Sequence, residues 1–68
     1  MGDVEITGDG IRLGQLLKLA NLVDQGSDAK QVLADGLVQV NGEVETRRGR
    51  QLVRGDRIAL GEAEVTLV

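Results

Sequence analysis

Leu13, Leu16, Leu17 and Ala20 recur at the i, i+3, i+4, i+7 spacing of one helix face. The spacing predicts an amphipathic helix over Leu13–Leu22, with Leu19, Leu22 and Val23 widening its apolar side and Gln15, Lys18 and Asn21 on the polar side. At about three turns such a helix does not persist alone in water, so it must dock. Ala29, Val32 and Leu33 form the stripe of a second helix over Asp28–Asp35, with Lys30 and Ala34 on another face. Ser27 stands where an N-cap hydroxyl would accept from a free backbone N–H, and Asp28 adds a favourable negative charge at the helix start. Gly36 suits the left-handed residue that ends a helix, and Leu37 the apolar contact that follows it.

The period then changes from 3.6 to two. Val38-Gln39-Val40 and Glu43-Val44-Glu45 alternate on either side of Asn41-Gly42, the strongest short-range signal for a two-residue hairpin. Leu52-Val53, Arg57–Leu60 and Ala63–Val68 read as further strands, separated by turns at Gly55-Asp56 and Gly61-Glu62. Near the N-terminus, Val4–Thr7 alternates as a short edge strand and Gly8-Asp9-Gly10 reads as a plain turn. It lacks the strand, helix and glycine spacing of a dinucleotide fingerprint. The pattern predicts one α+β domain over residues 1–68, two short N-terminal helices packed on a small antiparallel sheet. No repeat, linker or low-complexity stretch interrupts it.

Charge sharpens this picture. Five of the eight basic residues, Arg47, Arg48, Arg50, Arg54 and Arg57, fall within eleven positions opposed only by Asp56. That stretch carries +4, so the rest of the chain carries −7 and the whole −3. A positive segment on an acidic chain marks a candidate anion-binding face, and three arginines in four residues leave few acids nearby to pair with. Arginine suits phosphate because its planar fork donates two hydrogen bonds at once. Arg54 and Arg57 are the candidates to pair with Asp56 or with acids on a neighbouring strand.

Composition removes several chemistries. Cysteine and histidine are absent, which excludes disulfides, thiolate metal sites, the commonest metal ligand and the usual general base. No cofactor is implied. Ser27 is the single serine and has no histidine partner. Glu43 and Glu45 share a strand face, but they sit beside arginines and not in a cleft. No stretch approaches the roughly 18 apolar residues of a membrane span, and the acidic N-terminus is unlike a signal peptide. The expectation is a non-enzymatic, cytoplasmic protein. Phe, Trp and Tyr are also absent, so bases cannot be stacked on aromatic rings. Any nucleic acid would be read through phosphates, backbone shape and 2′-hydroxyls.

Four segments, in order, carry a resemblance: Arg12–Leu17, Ser27–Leu33, Gly36–Gly42 and Gly55–Ile58. Together they resemble the RNA-binding domain named after small-subunit ribosomal protein S-four, the alpha-L motif, over Arg12–Leu60. Leu16–Leu19 and Glu45–Arg48 are further similar to its short stand-alone bacterial members, the YbcJ-like group. The resemblance implies that the two helices and the hairpin form one basic face against structured RNA, with Asn41-Gly42 as the hairpin turn. It places Arg12, Lys30 and Arg47 at positions the family usually makes basic. Elsewhere in the family the domain holds RNA while a neighbouring domain does the chemistry. The chain departs from the pattern at Gly14, where the family has aspartate, and at Gly26, often arginine, which implies fewer phosphate contacts and a shallower salt dependence.

The expected function is therefore a non-catalytic module for structured RNA, ribosomal RNA or a ribosome-associated particle among the candidates. Arg47, Arg48 and Arg50 would grip phosphates, with Arg12, Lys18 and Lys30 extending the face. The rival from another class is a protein-interaction module whose acidic surface docks on a protein partner, its RNA face vestigial. Convergence of the basic side chains on one patch favours the first, and carboxylates tied to each of them favour the second.

Overall fold

A computed structural model describes residues 2–6, 8 and 10–68. The elements are β1 (Gly2–Val4), β2 (Ile11–Arg12), α1 (Leu13–Leu19), α2 (Gly26–Ala34), β3 (Val38–Val40), β4 (Glu43–Val44), β5 (Gln51–Leu52), β6 (Arg57–Leu60) and β7 (Ala63–Leu67). Five strands form one sheet in the order β1-β7-β6-β3-β4, and β2 with β5 forms a separate two-stranded ladder. The fold is α+β. The sheet is antiparallel except at one edge, where β1 runs parallel to β7.

The alternation of the strands decides which face meets the helices. Val38 pairs with Leu60, Val40 with Ile58, and Ile58 with Val65, so these side chains share one face. Val38, Val40, Ile58 and Val65 join Leu13, Leu16 and Leu17 of α1 and Ala29 and Leu33 of α2 in one buried cluster, with Leu60 packed against it. Each leucine fully buried there contributes about 1.5–3 kcal/mol, and this docking supplies what so short a helix cannot supply itself.

Both helices end by the same device. At α2, Gly36 (φ 71°) donates its N–H to Leu33 and Leu37 donates to Val32, a Schellman pair that closes the helix on a left-handed residue. At α1, Asn21 (φ 61°) takes the glycine's place, donating to Lys18 while Leu22 donates to Leu17. The predicted helix to Leu22 therefore stops at Leu19, because asparagine tolerates the left-handed conformation. The residues predicted to widen the apolar side divide: Val23 is buried and Leu22 partly buried, but Leu19 is 60% exposed. At the start of α2, Gln25 and not Ser27 is the N-cap, without a side-chain bond. Ser27 lies inside the helix, and Asp28 keeps its place in the first turn.

Asn41 (φ 54°) and Gly42 (φ 88°) form the two-residue hairpin turn, with Val40 opposite Glu43 and Gln39 opposite Val44. The predicted strand Val4–Thr7 is displaced toward the N-terminus, with β1 ending at Val4 and Ile6 donating to the Val68 carbonyl. Thr7 lies outside the described residues. So does Asp9, and with it the centre of the predicted Gly8–Gly10 turn.

Candidate nucleic-acid interface

Register inverts the hydrophobic pattern on β4. Val44 lies opposite Gln39 on the outer face and is 57% exposed. The Glu45 N–H donates to the Val38 carbonyl at 3.0 Å, which turns the Glu45 side chain to the buried side, where the residue is 7% exposed. A carboxylate there must be fully hydrogen-bonded, and the loop that follows does this. Oε2 accepts from the backbone N–H groups of Thr46 (3.0 Å) and Arg47 (3.1 Å) and from Arg47 Nε (3.3 Å). Oε1 accepts from Arg47 Nη2 (3.2 Å) and Arg50 Nη1 (3.0 Å). The side-chain bond from Arg47, then its backbone N–H and Arg50, hold the Glu45 carboxyl down from 4.5 to about 2 against the opposing effect of burial. The expectation that these arginines have few acids to pair with is corrected: Glu45 pairs with two of the three. The pairs differ in what they leave open. Arg47 keeps 75% of its side chain exposed and Arg50 only 32%.

The same loop seats itself on the start of α1. Arg50 donates to the Arg47 carbonyl at 3.3 Å, closing a turn. The carbonyls of Arg50 and Arg48 then accept from the N–H groups of Leu13 and Gly14, both at 2.9 Å. These are two of the donors that a helix start leaves unpaired, so backbone carbonyls from a distant loop cap α1. Gln15 Oε1 accepts from the Arg12 N–H at 3.2 Å. The β2–β5 pairing, Ile11 with Leu52 and Arg12 with Gln51, continues this seam.

Gly14 permits the close approach. A Cβ added to it would collide with Arg48 Cγ and stand 3.1 Å from Arg48 Cδ. The stem of Arg48 lies where any other side chain would begin, which gives the departure from the family's aspartate a steric meaning. Beyond the stem lies a concave surface of about 350 Å³ lined by Arg12, Gly14, Gln15, Lys18, Ala29, Arg48 and Gly49. Arg12, Lys18 and Arg48 thus come together from the helix cap, the helix and the loop. None of the three has a carboxylate within ion-pair distance among the described residues.

The other basic residues stand apart. Lys30 is exposed on α2 but does not line the concavity, where its neighbour Ala29 does. Arg54 Nη2 donates to the Ile6 carbonyl at 3.0 Å. Asp56 pairs with neither Arg54 nor Arg57, and instead accepts from Asn41 Nδ2 (3.1 Å) and the Val53 N–H (3.0 Å). Asn41 Oδ1 accepts from the Arg57 N–H at 3.0 Å. Asn41 is therefore more than a turn residue, since its amide bolts the hairpin to the turn before β6.

Among the described residues, no three metal-ligating side chains cluster closely enough to hold a metal ion, and no helix is long and apolar enough to cross a membrane.

The α+β fold thus gathers cations from its helix start and from the loop after the hairpin around one concavity. A family profile described as the S4 domain matches residues 4–68, and the chain belongs to that family. Of its relatives, a Bacillus subtilis (strain 168) protein named "Probable ribosome maturation protein RlbA" is 42% identical over 57 residues, covering 84% of this chain and 80% of that protein. An Escherichia coli (strain K12) protein named "Putative RNA-binding protein YbcJ" is 36% identical over 58 residues, covering 85% and 83%. Both are short chains like this one, and membership of the family supports an RNA-binding role.

Proposed function

We propose that this protein is a non-catalytic, cytoplasmic module that binds structured RNA, with ribosomal RNA or a ribosome-associated particle as its first candidate target. The observation that carries the reading is the convergence of Arg12, Lys18 and Arg48 on one concave surface with no carboxylate paired to them among the described residues. Phosphate oxygens are the ligands such a surface fits, and guanidinium groups can take them bidentately. Arg47 adds its exposed edge, Lys30 extends the face along α2, and Arg50 contributes chiefly by holding the loop. Without aromatic residues the recognition rests on backbone shape and phosphate. The names borne by the two relatives, one of ribosome maturation and one of RNA binding, point the same way. The protein-interaction reading needs carboxylates closing off the cations, and among the described residues Glu45 alone does so.

The test is a binding survey with structured ribosomal RNA fragments, a duplex DNA of similar length and an unstructured RNA, across a salt series. The expected result is preference for the structured RNA and affinity that falls with salt by about 0.7–0.9 log units per log unit of salt for each phosphate neutralised. Absence of binding at low salt overturns the proposal.

A further inference from the structure

We infer that Glu45 is a positioning residue for RNA recognition, an acid inside the basic face that raises RNA affinity by holding the Thr46–Arg50 loop in the shape that aims Arg48 into the concavity. The inference rests on the RNA-binding reading above.

The argument starts from how little else places Arg48. Its side chain makes no hydrogen bond or ion pair among the described residues. Its stem lies on the bare Cα of Gly14 and its carbonyl caps the Gly14 N–H. Where its guanidinium points therefore depends on where the loop backbone lies. That backbone is fixed from one side by α1, through the Arg48 and Arg50 carbonyls. From the other side it is fixed by Glu45, which takes the Thr46 and Arg47 amides and both flanking guanidinium groups on two oxygens. Arg47 and Arg50 hold the same Glu45 oxygen, at 3.2 and 3.0 Å. Without the carboxylate, two like charges would face each other across the base of the turn and the loop would open.

Glutamine at this position tests the idea because it is nearly isosteric and chemically wrong. Its NH2 group would face either the two backbone N–H donors or the two guanidinium groups, donor against donor. Bulk electrostatics makes the opposite forecast, since Glu45→Gln adds one unit of positive charge to a face that binds a polyanion. The sign of the effect separates the two accounts.

The experiment is a double-mutant cycle on the ribosomal RNA fragment that the wild-type protein binds best. It compares wild type, Glu45→Gln, Arg48→Gln and the double variant by fluorescence anisotropy, with folding checked by circular dichroism. Glu45→Gln should weaken binding about fivefold and Arg48→Gln about tenfold, and the double variant should be within about twofold of Arg48→Gln alone. Equal or tighter binding by Glu45→Gln overturns the inference and makes Glu45 a mask on the arginines. Full additivity also overturns it, because general loosening of the fold would cost the same with or without Arg48. If Glu45→Gln does not fold, Glu45→Asp, which keeps the charge on a shorter stem, enters the same cycle under the same criteria. If Arg48→Gln binds as wild type does, or the wild type binds no fragment, the RNA reading of this face fails and takes the inference with it.

Discussion

Arg48 and Arg50 stand two residues apart in one turn, and their settings differ in kind. Arg50 has 32% of its side chain exposed and spends its guanidinium on Glu45. Arg48 lies across a glycine, meets no acid among the described residues, and borders a concavity shared with Arg12 and Lys18. Arg47 belongs to both worlds, ion-paired along one edge and open along the other. The contrast teaches that a run of like charge in sequence is not a run of free charge in space. A strand that carries an acid to its buried side can neutralise part of the run from beneath, and what is left for a ligand is the cation that the register leaves out.

The strongest attack on this contrast removes one side of it. Changing Arg12, Lys18 and Arg48 together to Glu places six units of charge difference on the concavity without touching Glu45 or the core. RNA affinity should fall by at least about 100-fold while the melting temperature stays within about 3 °C, since all three are exposed. Binding that survives this change would move the site elsewhere. The matched single variants then sharpen it. Arg48→Gln should cost about tenfold in affinity, lower the salt slope by about 0.7–0.9 and leave stability unchanged. Arg50→Gln should do the reverse, lowering the melting temperature by about 5 °C through the lost charge-assisted bond, with a nearly unchanged salt slope. Identical behaviour of the two variants would erase the distinction.

A smaller effect is expected at Gly14. Alanine in a helix is worth about 1 kcal/mol over glycine, so a residue with open space around it would stabilise the protein on substitution. Here the new Cβ meets the Arg48 stem, whose flexible chain can move aside at the expense of its aim. Gly14→Ala should leave stability within about 1 kcal/mol and weaken RNA binding about threefold. A clear gain in stability with unchanged affinity would show that Arg48 does not rest there.

Much of this was legible in the sequence. The two helices, the Asn41-Gly42 hairpin and the late strands follow from periodicity and turn chemistry, and the family from the resemblance carried by four short segments in order. The misreadings have local causes. Asn21 ended α1 early because asparagine can do a glycine's work in the left-handed region. Ser27 lost its capping role because the helix began two residues sooner, at Gly26. The β2–β5 ladder, only two residues long on each side, lies below what alternation can signal. The burial of Glu45 had a readable clue: counting out from the two-residue turn places it opposite Val38, a core position. The seating of Arg48 on Gly14 had none, since it joins residues 34 positions apart in the chain through a loop with no regular structure.

The effect most specific to the clamped side of the comparison depends on pH. Glu45 titrates near 4.5 in the unfolded chain and about 2 when folded. Between those values the unfolded chain binds a proton that the native protein refuses, so acid favours unfolding. The stabilisation from Glu45 is therefore whole above about pH 5, declines as pH falls from 4.5, and is gone once the native carboxyl itself protonates near 2. Glu45→Gln has no such proton to take. At pH 7 it should melt below the wild type, and the gap between the two melting temperatures should narrow steadily from pH 4.5 to pH 2, because protonation makes the wild-type side chain as neutral as the glutamine. Added salt should change the gap little, because the carboxylate is buried beneath its two partners and screened less than an exposed pair. A gap of constant size across that range would mean that glutamine destabilises by packing alone and that the two arginines owe their places to something other than the charge beneath them.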